Sequence, residues 1–285
     1  MGKIKSDYIL AVFTRGRVNN QALIENLPPL IRQLITIVCH PGELSLHKER
    51  WGNKVADIIE YGSDCAYLGM ARDWLMEYCR RNKIRYAIQI DDNVVFAARS
   101  DGKSINFEKG LKTIKNNFSE EEQIFIYSEI FFWMIESLRF GYGISGISHR
   151  SGNNRKDKEI EENTRLFAVW GIDVEKYFKI GAKFADNPFK EDFHMQLAFL
   201  TNGIKTVCNN LFTFDKVKGA NSSGGCSVYR NSENVDYGAI FLKEVYPDFV
   251  TIVDKSNNNW SNMDEKKTRK ECIIKWKKAY EANKK

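Results

Sequence analysis

The residues of this 285-residue chain best suited to chemistry are an acidic triplet, Asp91-Asp92-Asn93, set inside an otherwise apolar run, RYAIQIDDNVVF, from Arg85 to Phe96. Asp and Asn are poor strand formers and bury badly without partners, so strand physics alone does not put them there. At the carboxyl end of a strand in an open α/β sheet, such oxygens can hold Mg²⁺ or Mn²⁺ against the phosphates of a substrate. The same three residues also suit a polar turn between two strands. A second group, Thr14-Arg15-Gly16-Arg17, follows the first apolar run. Two guanidiniums flanking a glycine offer forked donors and close backbone approach to a base or a pyrophosphate, although a pair of surface arginines looks the same. A third group is Glu191-Asp192 with His194. The acids complement a helix N-terminus without any chemistry, yet Asp and His this close can also offer a base and a metal ligand.

The elements that must position these groups read as an α/β alternation. Asp7–Phe13, Leu34–Cys39 and Val55–Tyr61 are short apolar runs expected to be strands of a mostly parallel sheet. A helix over Asn20–Gln33 must break at Pro28-Pro29. Leu68–Asn82 is the clearest amphipathic helix, with Ala71, Leu75, Tyr78 and Cys79 on one face. Arg72 sits in its first turn, where the dipole disfavours a cation, which suggests a ligand anion within its reach. Ser119-Glu120-Glu121-Glu122 forms a capping box for an aromatic-rich helix to Leu138 that belongs under the sheet. Gly141–Gly146 reads as a short strand, followed by a polar loop containing Arg150, Asn153, Asn154 and Arg155. Asn221–Arg230 reads as a glycine-serine lid. A helix from Asp236 and a strand over Phe249–Val253 precede a basic tail.

Composition bounds the answer without naming it. A hydrophobic share of 43% is enough to build a core, and no stretch is long and apolar enough to suggest a membrane span. The six cysteines are scattered with no Cys-x-x-Cys pair, which argues against a zinc site or a disulfide framework and fits a cytoplasmic protein. The net charge of +6 is mild, but nine basic residues fall between Asp264 and Lys285 with Trp276 and Tyr280 among them. Such a segment can track a phosphate backbone, and it also resembles an ordinary solvated helix. One domain is expected, with residues 1–100 forming the nucleotide half and 101–285 the acceptor half.

Six stretches, TRGR (14–17), LGMARDW (68–74), IQIDDNVVF (88–96), ISHRSGNNR (147–155), EDFHMQLAFLTNG (191–203) and GGCSVYR (224–230), occur in an order that resembles the TET-associated glycosyltransferases. These are a branch of the GT-A glycosyltransferases found in DNA-modifying phages and in base J synthesis. The resemblance spans Tyr8 to Tyr280. It implies a GT-A-like fold and transfer of a sugar from a UDP-sugar to the hydroxymethyl group of a modified pyrimidine, 5-hydroxymethylcytosine or 5-hydroxymethyluracil, in double-stranded DNA. Carried over, Thr14, Arg15, Gly16, Arg17, Arg72 and Asp91 would bind the donor. Asp91, Asp92 and Asn93, with His194, would hold Mn²⁺ or Mg²⁺, and Asn93 stands where the family usually has a third Asp. Asp192, with Glu191 second, would be the base of an inverting transfer. Arg150, Asn153, Asn154 and Arg155 would meet the acceptor, whose base must be flipped out to be reached. A GT-A enzyme with a glycan, lipid or protein acceptor, and a non-catalytic nucleic-acid-binding protein of the same fold, are the rival readings.

Overall fold

Short buried strands alternate with helices through the first half of the chain. They run β1 (Tyr8–Thr14), α1 (Ala22–Asn26), α2 (Pro29–Arg32), β2 (Ile35–Cys39), α3 (Leu44–Trp51), β3 (Asp57–Glu60), α4 (Leu68–Arg81), β4 (Tyr86–Asp91) and β5 (Val94–Arg99). The second half begins with β6 (Leu111–Thr113), α5 (Ile114–Asn117), α6 (Glu120–Arg139), β7 (Ile144–His149), α7 (Arg150–Asn153) and β8 (Ile160–Glu162). It continues with β9 (Val169–Asp173), α8 (Val174–Ile180), α9 (Glu191–Thr201), β10 (Thr206–Lys216), α10 (Ser232–Val245), β11 (Val250–Ser256), β12 (Thr268–Ile274) and α11 (Trp276–Glu281). The structure is a computed structural model that describes residues 6–217, 224–229, 231–256 and 268–283.

One ten-stranded sheet runs through both halves in the order β3-β2-β1-β4-β9-β7-β10-β5-β6, with β8 paired to β10. Among the described residues, only β5, β8 and β9 run against the other strands of this sheet, so it is mostly parallel. The chain reverses its lateral progress at β1, which pairs with β2 on one side and β4 on the other. The connections leaving the carboxyl ends of β1 and β4 start side by side at this reversal and together line a cleft at that edge.

Each face of the sheet is covered, which is why its strands read as unbroken apolar runs. Leu10 and Val12 of β1 face α6, where Ile126, Ile130, Met134 and Leu138 pack against Ile88 and Ile90 of β4. The alternate residues Ile9, Ala11 and Phe13 face α4 and α9, against Leu75, Met76, Met195 and Phe199. Helix α9 is buried on its other side as well: Phe193, Leu197 and Leu200 pack on Leu242 and Tyr246, Val250 of β11 and Ala279 of α11.

The Asn20–Gln33 helix breaks at the prolines as expected, into α1 and α2, while several other expectations shift. Helix α3 has too weak an apolar face to show in the sequence. The strand expected at Gly141–Gly146 begins at Ile144, because Gly141 has a φ of +116° and turns the chain. Phe132 is 61% exposed while Phe131 is buried, so the aromatic run of α6 is not covered on all sides. The described part of the basic tail is not a free arm: residues 268–274 form β12 against β11, and α11 docks on α9.

The capping box of α6 is present in both directions, with Ser119 Oγ accepting from the Glu122 N–H at 3.3 Å and the Glu122 carboxylate accepting from the Ser119 N–H at 2.8 Å. Ser119→Ala is expected to lower the unfolding free energy by about 1 kcal/mol. Urea denaturation should show a lower midpoint at an unchanged slope, and an unchanged midpoint would mean the cap adds nothing.

Candidate active site at the carboxyl edge of the sheet

Strand register brings the first two groups together. Phe13 of β1 pairs with Asp91 of β4, so the residues that follow, Thr14 to Arg17 and Asp92-Asn93, leave the sheet side by side. Arg17 Nη1 donates to Asp92 Oδ1 at 2.7 Å, and both side chains are buried. Gln21 Nε2 donates to Thr14 Oγ1 and to the Arg17 carbonyl, which fixes the turn. Arg15 is half-buried and donates to the Ala66 carbonyl at 3.1 Å. Gly16 is exposed, with a φ of +69° and its N–H given to Glu43 Oε1.

Beyond Asn93 the chain crosses to β5, on the far side of β10. The Val217 N–H donates to the Asn93 carbonyl at 2.9 Å, and Lys216 pairs in register with Val94. Lys216 Nζ is thereby held 2.8 Å from Asp91 Oδ2. Residues 224–229 close over the turn: the Gly225 N–H donates to the Arg15 carbonyl, and a Cβ on Gly224 would come within 2.6 Å of that same oxygen. Tyr229 Oη accepts from the Leu68 N–H at the start of α4, and its ring meets Tyr67 edge-on. The described part of the expected lid is thus fastened to the cleft, while 221–223 and 230 lie outside the described residues.

Helix α4 connects the parallel strands β3 and β4 and so begins at their carboxyl edge. Helix α9, which leads into β10, begins at the same edge, where Glu191 lies 3.7 Å from Arg72, so both first turns face the cleft. From α4, Arg72 reaches inward and is 2% exposed. It donates to Gln89 Oε1 and to Asp91 Oδ1 at 3.3 Å, and its Nε lies 3.7 Å from Glu191 Oε1. Its guanidinium carbon sits over the rings of Phe13, Trp170 and Phe184. These contacts engage the arginine that the sequence assigned to the donor, which sits between two carboxylates.

Two adjoining clefts result. Thr14, Arg15, Arg17, Asp91, Asp92 and Asn93 line the first with Tyr61 and Tyr67. Arg72, Asp91, Glu191 and Asp192 line the second with Arg165, Phe167, Phe189 and Lys190. Leu68, Asp91, Lys216, Cys226 and Tyr229 belong to both walls. Burial opposes the charge on Asp91, but Lys216 and then Arg72 outweigh it and hold the carboxyl below its ordinary range. For Asp92 burial outweighs Arg17 and the pKa is raised. Burial and then Asp192 push Glu191 up to about 7, with Arg72 opposing.

The acidic turn passes a simple test for a hard divalent cation. Its donors are all oxygen, and Asp92 Oδ2 is buried without a hydrogen-bond partner. No three His, Cys, Asp or Glu side chains gather as a metal cage among the described residues. Mg²⁺ characteristically takes one or two carboxylates and completes its shell with water and substrate phosphates, so Asp91, Asp92 and the Asn93 amide fit that manner of binding.

Other expected site residues lie elsewhere. His194 is not brought to the acidic turn: it is buried on α9, with Nδ1 hydrogen-bonded to the Tyr246 hydroxyl and Nε2 3.5 Å from Asp186. Burial lowers its pKa, as suits a neutral packing residue. Asn153 is wholly buried, accepting from Arg99 and donating to Ser148 and the Asn210 carbonyl, so it braces α7 and does not face an acceptor. Arg150 leans on Thr113 and Asp215, and Asn154 and Arg155 are exposed; none of the three lines either cleft. The sequence reading missed Gln89, Lys216 and Arg165. Lys216 carried a usable signal, since it ends an apolar strand with a charge just as Asp91 does.

The mostly parallel sheet flanked by helices, with the cleft at its carboxyl edge, has a GT-A-like α/β architecture. The chain matches the TET-Associated Glycosyltransferase family over residues 8–225 and belongs to that family. No curated protein matches it. Similar solved structures include CMP:2-keto-3-deoxy-manno-octonic acid synthetase complexed with CTP, at 10% identity and a TM-score of 0.39 over 71% of this chain and 89% of that one. Another is mannose-1-phosphate geranyltransferase from Thermus thermophilus, at 8% identity and a TM-score of 0.41 over 73% and 76%. A mycobacterial protein of 8% identity has a TM-score of 0.44 over 94% and 83%.

Replacing Arg72 leaves the half-buried Glu191 without its cation and the half-buried Asp91 with Lys216 as its ion-pair partner. Arg72→Met is expected to cost about 3–5 kcal/mol of stability at pH 7. The loss should shrink at pH 5: without Arg72 the folded-state pKa of Glu191 rises further above its unfolded value, so the variant regains stability as pH falls through it. Urea denaturation at the two pH values measures both effects, and an equal loss at each pH would count against this account of Glu191.

Proposed function

We propose that this chain transfers a sugar from a UDP-sugar to the hydroxymethyl group of 5-hydroxymethylcytosine or 5-hydroxymethyluracil in double-stranded DNA, with inversion. The observation that carries this reading is that the two clefts adjoin and share lining residues. Asp91 and Lys216 form a common wall, so a donor whose phosphates lie by Arg15 and Arg17 presents its sugar towards Glu191 and Asp192. The family supports the donor class and the transfer.

In this reading the nucleotide occupies the cleft between Tyr61 and Tyr67, with Arg15, Arg17 and Lys216 close to the diphosphate. Asp91, Asp92 and Asn93 would hold Mn²⁺ or Mg²⁺, which adds positive charge beside the leaving diphosphate. The acceptor hydroxyl oxygen attacks the anomeric carbon while the bond from that carbon to the diphosphate oxygen breaks and its electron pair leaves with UDP. The hydroxyl proton passes to the carboxylate pair on α9. Glu191 is the better placed of the two on chemical grounds, because a proton affinity near neutrality suits a general base at working pH. Asp192, ranked first by the sequence, shares the cleft wall and raises the affinity of Glu191. These carboxylates are recessed, so the target base must leave the stack to meet them. The exposed Asn154 and Arg155 and the half-buried Arg150 supply phosphate contacts outside the cleft.

The decisive experiment is mass spectrometry of nucleosides from hydroxymethylcytosine and hydroxymethyluracil DNA incubated with the protein, Mn²⁺ and a panel of UDP-sugars. A hexose or pentose added to one base is the expected result, abolished by EDTA and restored by Mn²⁺. UDP release with no sugar on any DNA would move the acceptor to a glycan, lipid or protein. For the base, kcat/KM should fall as pH drops through about 7, because protonated Glu191 cannot accept the hydroxyl proton. Glu191→Gln should slow transfer by about 10² to 10⁴ and remove that acid limb. Retention of the limb in Glu191→Gln and its loss in Asp192→Asn would return the role to Asp192.

A further inference from the structure

The cations that line the second cleft differ in how they are neutralised. Arg72 is shared between Asp91 and Glu191, Lys216 pairs with Asp91, and Lys190 Nζ lies 3.2 Å from Glu271 Oε2. Arg165 lines the same wall, is exposed, and has no carboxylate or hydrogen-bond partner among the described residues. Its guanidinium is nonetheless held in place. The guanidinium carbon sits 4.5 Å from the ring centroid of Phe167 and 4.6 Å from that of Phe193.

Both rings are anchored from behind. Phe167 packs edge-on to Phe214 of β10 at 5.1 Å and lies 5.5 Å from the His149 ring at the end of β7. Phe193 stacks on Trp276 of α11 at 5.7 Å with an interplanar angle of 18°. An arginine seated on fixed rings has its flat faces engaged and much of its side-chain freedom already removed. What it presents outward is the in-plane fork of N–H donors, which matches the two oxygens of a phosphate. Arg165 is absent from the wall of the first cleft, which already has Arg15 and Arg17 for the donor diphosphate.

We propose that Arg165, seated on Phe167 and Phe193, grips a backbone phosphate of the acceptor strand next to the target nucleotide and so holds the extruded base over Glu191 and Asp192. This rests on the DNA-acceptor reading above and adds to it a specific anchor on the acceptor wall. The role is one of positioning: Arg165 touches the strand, not the reacting atoms. Its loss therefore weakens acceptor binding and leaves donor binding alone.

The test compares wild type, Arg165→Ala and Arg165→Lys for binding to a hydroxymethylcytosine duplex by fluorescence anisotropy across a salt series, and for transfer kinetics with both substrates varied. Arg165→Ala should bind the duplex roughly tenfold more weakly, as expected for one lost charge-assisted contact. Its plot of log affinity against log salt should be shallower by about 1. KM for DNA should rise in step while KM for the UDP-sugar stays within about twofold. Arg165→Lys should recover the salt slope but not the full affinity, because a point charge replaces the planar fork. Wild-type affinity and slope in Arg165→Ala, with wild-type transfer to DNA intact, would overturn the anchor alone. A rise in KM for the UDP-sugar equal to that for DNA would reassign Arg165 to the donor. A wild-type protein that neither binds nor modifies DNA would overturn the acceptor reading and the anchor together.

Discussion

The arrangement of this site depends on one buried cation. Arg72 is nearly inaccessible, and removing a guanidinium from water is costly unless its charge and donors are met. Here the Asp91 carboxylate, the Glu191 carboxylate 3.7 Å away and three aromatic rings answer the charge, and Nη1 and Nη2 donate to Gln89 and Asp91, while Nε makes no hydrogen bond. These partners come from β4, from the first turn of α9, and from β1 and β9 with the segment between α8 and α9. Satisfying Arg72 therefore fixes how α9 approaches the sheet, and with it the distance between the acidic turn and the carboxylate pair.

The same cation separates the chemical characters of neighbouring acids. Asp91 sees both Lys216 and Arg72 and stays ionised despite its burial. Glu191 is half-buried beside another acid and has Arg72 only at 3.7 Å, so its proton is held more tightly. Two carboxylates bridged by one guanidinium thus suit different tasks, one a lasting negative charge for cations and the other exchange of a proton near neutrality. The two clefts adjoin, so these characters lie on neighbouring walls.

The last part of the chain lies beyond the matched family region, which stops at residue 225. Its α10, β11, β12 and α11 bury the outer side of α9 through Leu242, Tyr246, Val250 and Ala279. Glu271 of β12 also neutralises Lys190, the residue that precedes α9. A helix apolar on nearly every side cannot stand at a surface, so this segment completes the core beneath the carboxyl edge of the sheet. The charge of the tail suggested a nucleic-acid arm, but the described part spends its apolar and charged residues on that packing.

Much of the framework was legible in the sequence because local physics dictates it. Apolar runs ending in polar turns marked β1, β2 and β4, the proline pair divided α1 from α2, and Ser119 with Glu122 marked the start of α6. The acidic break after β4 stood out because nothing in strand packing asks for Asp91, Asp92 and Asn93. The motifs were sufficient to indicate the family. Which charges meet was decided only by tertiary structure, since pairing depends on register and on which helices share an edge. Lys216 reaches Asp91, 125 residues away in sequence, because β10 lies beside β5. His194 and Asn153 turned inward because burial on α9 and α7 supplied them with protein partners. Arg72 was legible as an arginine out of place in a first helical turn, but its partners were not. They lie on strands and a helix that only the folded sheet brings to one side.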